Sequence, residues 1–302
     1  MDIGDDIVES ARDHLSAASF NNVQVVCGDG VVGYRDGAPY DRVIMTVATA
    51  DIAPAWREQM KQDRRLLLPL QISGGMQVSA AFHQVENHME SVSVRDCGFV
   101  TLRGAFARES MNTVQLGPDP GLSLSIGAGS KVDAGRTYEL LAGPHEDQFF
   151  EIRATPWEAV LGALALWISL REPRLCVLSA EGEVANQGMV PCFMEYEGEW
   201  RRCWTVGILV GDNLCVFTPS PSHGHGPEEA GGQIVVRCYG PDKSLAQRLM
   251  DHVASWDAAG RPSSVNLRIR TYQLNRAFNQ VANEVVVRKE WNQLVLDWLK
   301  SQ

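Results

Sequence analysis

The chain has 302 residues, 45% of them hydrophobic and 21% charged, which is typical of a globular protein with room for about two domains. Its formal net charge of −10 argues against broad electrostatic binding to nucleic acid or to an anionic membrane. The most apolar stretch, AVLGALALWISL (159–170), is flanked by Glu158 and Arg171 and is too short to cross a bilayer, which needs about 20 apolar residues. It predicts a buried helix.

The first 71 residues predict a parallel sheet with short helices between its strands. Asp5 or Asp6 can cap a helix that runs to about Ala18. A second short helix begins near Pro54, a residue that suits the first helical turn. Continuous apolar runs, typical of strands covered on both faces, occupy 23–27, 41–48 and 64–71.

After Gly74-Gly75 the pattern changes to antiparallel strands. MQVSAAFHQV and SVSVRDCGFV are separated only by ENHME, which predicts an antiparallel pair that closes the sheet. Residues 107–122 include GPDPG and are predicted to form a linker. It would join a first domain at 1–106 to a C-terminal domain at 123–302.

The C-terminal domain is predicted to be α+β. TPWE (155–158) combines a capping threonine, a first-turn proline and the glutamate of a capping box. A helix is expected at about 243–258, and SVNLRIRTY (264–272) alternates apolar and polar residues as a half-buried strand does. Short strands fill most of the rest.

Seven cysteines are scattered without CxxC pairs. An odd number without paired spacing favours free thiols in a reducing compartment over a disulfide framework. The first residues also lack the basic and apolar regions of a secretory signal. We therefore expect a cytoplasmic location.

Two features near the start indicate a nucleotide-type site. Asp2 lies just ahead of the first helix, where such folds place an acid that binds ribose hydroxyls. GDG (28–30) ends the next apolar run and would let backbone approach a bound base. Each feature alone is weak, since an acid before a helix is usually a capping or helix-start residue.

The stretch from 22 to 60 carries a more specific signal. GDG is followed by Gly33-Tyr34, then by APYD (38–41), a strand ending in Thr-x-x-Ala and a helix starting Ile-x-Pro; downstream stands CGFVTLRG (97–104). In this order the motifs resemble the protein-L-isoaspartate O-methyltransferase family, over roughly residues 1–106. The resemblance implies a Rossmann-like class I methyltransferase sheet and S-adenosyl-L-methionine as cofactor, with S-adenosyl-L-homocysteine as product.

The resemblance also implies roles for individual residues. Asp2 would bind the ribose, Gly28, Asp29 and Gly30 the adenine end, and Thr46 would line the pocket near the methyl group. We call CGFVTLRG (97–104) the closing motif. The resemblance places four of its residues around the substrate backbone, namely Phe99, Val100, Thr101 and Gly104. The whole chain resembles the long actinobacterial type with a C-terminal extension (FxLD system), whose relatives include enzymes that modify peptides. The implied substrate is a protein or peptide with an L-isoaspartyl or aspartyl residue, recognised partly by the C-terminal domain.

Such a reaction explains why no residue is certain to be catalytic. A carboxylate with a pKa of about 4 is already ionised at neutral pH, so the acceptor needs no general base. The enzyme can act mainly by orienting the reactants and excluding water. No Ser-His-Asp triad or carboxylate pair is required.

The sequence departs from the family pattern in three places. Asp63 and Arg64 stand where the family has a Gly-Gly turn, and Thr101 replaces the proline of the closing motif. The first strand of the sheet and its glycine-rich loop have no counterpart, so strand edges beside the gap would lack partners. We therefore expect weak or absent cofactor binding by the chain as it stands, and a truncated or mis-assigned start is a simple explanation.

Other candidate features favour plainer interpretations. SLSIGAGSKVDAG (123–135) resembles a glycine loop but is predicted to be an ordinary turn. His223 and His225 lack a nearby third metal ligand and are assigned to a solvated loop, so no metal is predicted. His83 and His88 are expected at the surface, and Cys97 is expected to be a packed thiol rather than a nucleophile.

The alternative function, from another class, is a catalytically dead remnant that serves as a peptide-binding or scaffold protein. Binding of S-adenosylhomocysteine separates the two hypotheses, since only the enzyme needs it.

Overall fold

The computed structural model describes residues 1–104, 111–118, 120–220 and 232–299, with the backbone alone for Arg64. The chain divides into two compact units. Within the described residues, the first unit contains 1–71, 78–104 and 268–299, and the second contains 72–77 and the rest of 111–267. The mixed α/β class is confirmed, and strands and helices alternate irregularly in the second unit as an α+β architecture does.

The first unit is built on a seven-stranded sheet in the order β1-β2-β3-β4-β13-β15-β14. Its strands are β1 (Tyr40–Ile44), β2 (Met60–Gln71), β3 (Gln77–Val85), β4 (His88–Asp96), β13 (Leu267–Gln273), β14 (Val285–Arg288) and β15 (Asn292–Trp298). β1 and β2 are parallel, and β3 and β4 form the predicted antiparallel hairpin. The sheet is thus parallel at one end and antiparallel at the other.

The last three strands correct the predicted domain boundary. β13 pairs antiparallel with β4, with Arg270 opposite Glu90, so residues 268–299 complete the first unit's sheet instead of belonging to a domain at 123–302. The alternating pattern at 264–272 did predict a strand, but a periodicity of two does not identify the partner strand. The predicted linker also differs, because β5 (Met111–Gln115) lies inside it and pairs with β6 (Leu122–Gly127). Residues 107–110 and 119 of that linker lie outside the described residues.

The first segment forms a helix but fewer strands than predicted. Helix α1 spans Asp5–Ala17, and its N-cap is Gly4 rather than Asp5 or Asp6, whose carboxylates lie in the first turn. The run 23–27 is not a strand; Cys27 alone makes a parallel bridge, with Asp2. An apolar run without strands on both sides cannot complete its backbone hydrogen bonds as a sheet, which explains this difference.

Helix α2 (Pro54–Glu58) begins at the predicted proline. Asp63, close behind it, adopts φ +60° at the position where the family has glycine. Aspartate enters the left-handed region more readily than most residues, so the strain falls on Asp63 rather than on a bulkier neighbour.

The second unit contains an eight-stranded sheet in the order β5-β6-β8-β10-β11-β12-β7, with β9 paired to β10. Its remaining strands are β7 (His145–Ala154), β8 (Leu175–Glu181), β9 (Met194–Glu197), β10 (Arg201–Val210), β11 (Asn213–Pro219) and β12 (Gly232–Tyr239). The pairings described between these strands are antiparallel.

Five helices belong to this unit: α3 (Ala134–Ala142), α4 (Pro156–Val160), α5 (Ala163–Ser169), α6 (Glu183–Asn186) and α7 (Ser244–Ala258). The capping box of Thr155 and Glu158 is confirmed at the start of α4. The apolar stretch 159–170 is buried as predicted, although Gly162 divides it between α4 and α5. Across the described residues, no helix is long and apolar enough to span a bilayer.

Several smaller predictions are also corrected. Cys192 and Cys203 form a disulfide, whereas all seven cysteines were expected to be free. Their Cα atoms lie 5.0 Å apart because the chain folds back between them, which sequence spacing does not reveal. His88 is only 13% exposed and stacks on Tyr272 with ring centroids 4.8 Å apart, so it is not a surface residue.

The glycine-rich stretch 123–135 is followed by a helix, contrary to expectation. Helix α3 begins after Asp133, whose side chain accepts a hydrogen bond from the Arg136 N–H. The strand before it, β6, pairs antiparallel with β5 and β8, unlike the parallel strand of a dinucleotide loop. His223 and His225 lie outside the described residues.

Candidate functional site

A groove of about 620 Å³ lies beside β1, the edge strand of the first unit's sheet. We call it the edge groove. Its lining comprises Met1, Asp2, Ile3, Ile7, Gln24, Val26, Gly30, Gly33, Tyr34, Tyr40, residues 42–47, Trp56, Gln59 and residues 100–103. Apolar side chains around it are unusually open to solvent: Ile44 is 62% and Val100 76% exposed. Exposed apolar surface gathered at a groove is typical of a binding site.

Asp2 lies at one end of the edge groove on a short parallel bridge. Its N–H donates to the Val26 carbonyl (3.1 Å), and Gly28 N–H donates to its own carbonyl (2.9 Å). The Asp2 carboxylate accepts a hydrogen bond from Gly4 N–H (2.9 Å) and pairs with Arg103 at 3.6 Å. The backbone therefore fixes Asp2, and its half-exposed carboxylate faces the groove.

The GDG loop is fixed beside the groove by two hydrogen bonds. The Asp29 carboxylate accepts from Val31 N–H (3.0 Å) and caps a 3-10 turn at Gly30–Val32. The indole N–H of Trp56 donates to the Gly30 carbonyl (2.8 Å), which attaches the loop to α2. Gly30 lines the groove, whereas Gly28 and Asp29 are not among its lining residues.

Two glycines permit close approaches in this region. Gly104 has φ +107°, and a Cβ there would lie 2.6 Å from an Asp29 carboxylate oxygen. Gly33 has φ +64°, and a Cβ there would lie 2.3 Å from the Gln59 side-chain oxygen. Any other residue at either position would force these neighbours to move.

The closing motif joins the chain that follows β1. Ala48 N–H donates to the Val100 carbonyl (2.7 Å), and Leu102 N–H donates to the Ala48 carbonyl (2.8 Å). The Thr101 hydroxyl accepts from the Gln71 amide (3.3 Å), a contact that proline could not make. These contacts bring Val100 and Thr101 to the groove together with Thr46, while Phe99 and Gly104 are not among its lining residues.

Neither thiol near the groove is activated by its surroundings. The Cys27 thiol donates to an Asp5 carboxylate oxygen (2.9 Å), and this hydrogen bond raises its pKa. Burial raises the pKa of Cys97 to about 11, with a further rise from Asp96, as expected for a packed thiol. Desolvation also raises the pKa of Tyr40. The groove can therefore bind and orient a ligand, and it offers no activated thiolate.

Sequence reasoning missed three residues of the groove. Trp56 lies on α2 and Gln59 is the C-cap of that helix. Being three residues apart, they share the face that meets the GDG loop, and their proximity could have been inferred from that spacing. Arg103 is brought opposite Asp2 by the parallel bridge between Ala48 and Thr101. No local signal in the sequence indicates that pairing.

The one group of possible metal ligands among the described residues is Cys192, Glu195 and Cys203 in the second unit. Both cysteines are engaged in the disulfide, and Arg201 pairs with the glutamate at 2.9 Å. The disulfide joins the segment just before β9 to β10, and the ion pair of Glu195 and Arg201 joins the two strands.

Comparisons with known proteins agree with the sequence motifs. The family model of protein-L-isoaspartate(D-aspartate) O-methyltransferase matches residues 1–107. A protein-L-isoaspartate O-methyltransferase of Ignicoccus hospitalis is 38% identical over 73 residues, which are 24% of this chain and 35% of the relative. Protein-L-isoaspartate O-methyltransferase 2 of Archaeoglobus fulgidus is 33% identical over 109 residues, 35% of this chain and 48% of the relative.

A solved structure of a protein-L-isoaspartate O-methyltransferase aligns with 88% of this chain and 62% of its own, at 15% identity and a TM-score of 0.36, a similarity too low to compare the folds. The chain spans between a third and a half of the two curated relatives. Proteins of the matched family take their methyl group from S-adenosyl-L-methionine. Residues 1–107 are thus similar to the protein-L-isoaspartate(D-aspartate) O-methyltransferase family.

Proposed function

We propose that the chain is an S-adenosylmethionine-dependent carboxyl O-methyltransferase that acts on L-isoaspartyl or aspartyl residues of a protein or peptide. One observation carries this proposal: residues implied for the cofactor (Asp2, Gly30 and Thr46) and for the substrate (Val100 and Thr101) line one groove. They come from segments far apart in sequence, so their meeting does not follow from the motifs alone.

The residues present fit a molecule with an apolar base and a polar sugar. A volume of about 620 Å³ lies within the range of small-molecule sites, roughly 300–1,000 Å³. The Asp2 carboxylate can accept hydrogen bonds from a ribose diol, and Ile44 and Val100 offer exposed apolar surface. When bound, S-adenosylmethionine supplies a methyl group on a sulfonium, which the acceptor carboxylate takes up as a methyl ester.

The chain's own residues would bind and orient the reactants. Val100 and Thr101 lie opposite Ala48, in the chain that follows β1, where they can contact the backbone of an acceptor peptide. Apolar neighbours would exclude water from the reacting carboxylate, which strengthens its interaction with a cation. Because that carboxylate is ionised at neutral pH, no residue has to remove a proton.

Isothermal titration with S-adenosylhomocysteine tests the proposal. In line with the weak cofactor binding expected from the sequence, we expect low-affinity but saturable heat for the chain. Asp2→Asn, which loses the carboxylate that would accept hydrogen bonds from the ribose, should bind at least ~10-fold more weakly. Asp6→Asn is the matched control, since this exposed aspartate carries the same charge four residues away and does not line the groove. Equal affinities for all three proteins, or no heat with any of them, would contradict the proposal.

A second candidate, a peptide-binding protein, is favoured by the open edge of β1. Met45 N–H donates to the Leu67 carbonyl of β2 (2.9 Å), so by alternation the N–H of Ile44 points away from β2. An extended peptide can pair with such an edge and place apolar side chains in the groove. The test is to select peptides that bind the chain from a random library and to measure their affinity for Ile44→Pro. Loss of affinity in that variant, together with no binding of S-adenosylhomocysteine by the unchanged chain, would favour this function over the enzyme.

A further inference from the structure

A second cavity, of about 280 Å³, lies in the first unit on the other side of α2 from the GDG loop. We call it the Arg57 cavity. Ile52, Pro54 and Arg57 line it on one side, and residues 273–275 and 290–292 line it on the other. It shares no lining residue with the edge groove.

The guanidinium of Arg57 is held in place but only partly used. One terminal nitrogen, Nη2, donates to the Thr271 hydroxyl and to the Asn292 side-chain oxygen. Nε is buried without an acceptor, and Nη1 makes no hydrogen bond to any residue that the structure describes. Burial lowers the pKa of Arg57 to about 10, so the group is still cationic at neutral pH.

The nearest carboxylate does not neutralise this cation by contact. Asp51 is 1% exposed and accepts from Ile52 N–H (2.7 Å), Trp291 N–H (2.7 Å) and both nitrogens of Asn292 (3.2 Å and 2.6 Å). Within the described ranges no carboxylate oxygen lies within 4.0 Å of the Arg57 guanidinium. Buried arginines are normally paired with an anion, and among the described residues Arg57 has hydrogen-bond partners but no anionic one.

We propose that the Arg57 cavity binds the carboxylate of a small organic monoanion. Nη1, the guanidinium nitrogen that is not hydrogen-bonded to the described residues, is a donor for a carboxylate, and Pro54 and Trp291 provide an apolar surface for the rest of the ligand. The carboxylates of Asp51 and Glu290 lie close by, so a second negative charge on the ligand would be repelled. A monocarboxylate therefore fits better than a phosphate dianion.

The probe is butyrate, followed by saturation-transfer NMR on the intact chain. We expect saturable binding with a dissociation constant on the order of 1 mM. Butyramide, its neutral isostere, and inorganic phosphate are expected to bind at least ~10-fold more weakly. No saturation by butyrate up to about 10 mM, or equal binding of butyramide, would overturn the proposal. Phosphate binding at least as tight as butyrate would overturn the assignment to a monocarboxylate.

Two variants locate the site. Arg57→Met removes the cation and is expected to abolish butyrate binding, whereas Arg35→Met, an exposed arginine on the same unit, keeps it. Because Arg57 is hydrogen-bonded inside the fold, Asn275→Trp serves as a second variant; it places a bulky ring at the exposed rim of the cavity without altering buried contacts. Butyrate binding that survives in Asn275→Trp and in a folded Arg57→Met would place it elsewhere and refute the proposal.

Discussion

Asp51→Ala tests whether one buried carboxylate attaches the C-terminal strands to the rest of the first unit. Its two oxygens accept four hydrogen bonds, three of them from Trp291 and Asn292 at the start of β15. Residues 51 and 292 are 241 positions apart, so these bonds close a very long loop. The substitution leaves buried N–H groups without acceptors.

The magnitude follows from the bonds that are lost. A hydrogen bond to a charged group contributes about 1.5–3 kcal/mol, and losses within one network are not additive. We adopt about 3–5 kcal/mol for Asp51→Ala, more than one such bond but less than the sum of four, because removing the buried charge also removes its desolvation cost. The substitution also removes the negative charge of Asp51, which favours the charged form of Arg57 and so partly offsets the cost of burying that cation.

Urea unfolding followed by far-ultraviolet circular dichroism measures this effect. The matched control is Asp41→Ala, an aspartate of the same unit whose carboxylate is 58% exposed and contacts Lys61. We expect that control to lower the free energy of unfolding by no more than about 1 kcal/mol. A loss below about 1 kcal/mol for Asp51→Ala would refute the reasoning, since it would mean that the four donors find other acceptors.

Three further predictions concern pH and backbone. Burial raises the pKa of Glu172, but hydrogen bonds from His252 and two other donors outweigh it and hold the pKa below its usual value. The free energy of unfolding lost in Glu172→Gln should therefore be largest above about pH 5 and should shrink as the pH falls below that value, which unfolding curves measured at a series of acid pH values would show. Burial lowers the pKa of Lys289 to about 8, so stability should rise from about pH 8 to about pH 10, and urea midpoints of Lys289→Met should lack that part of the rise. Gly33→Ala should lower the thermal midpoint, because its φ of +64° and the nearby Gln59 side chain oppose a Cβ; an unchanged midpoint would contradict this.

Local chemistry in the sequence predicted local structure well. The Thr155 capping box and the hairpin of β3 and β4 were both correct, because side chains within a few residues of each other decide them. The helix after Asp133 was missed although its cap is also local, since the glycines before it suggested only a turn.

Partners distant in sequence could not be predicted in the same way. The alternation at 264–272 predicted β13 but not its pairing with β4, because many strands offer an equally apolar face. The hydrogen bonds of Asp51 could not be predicted from the sequence either. An aspartate shortly before a helix that starts with proline looks like a cap, and only the fold brings Asn292 to it.

The edge groove shows the same limit at the candidate site. Asp2 was expected either as a helix-start acid or as a ribose ligand, and the cap of α1 is Gly4. Its carboxylate is engaged by one backbone N–H and by Arg103, whose side chain is 66% exposed. An ion pair that open contributes about 0–1 kcal/mol, so a ligand's hydroxyls can replace the arginine at small cost. The carboxylate is therefore fixed by backbone yet available to a ligand, which is what a binding residue requires and a cap does not.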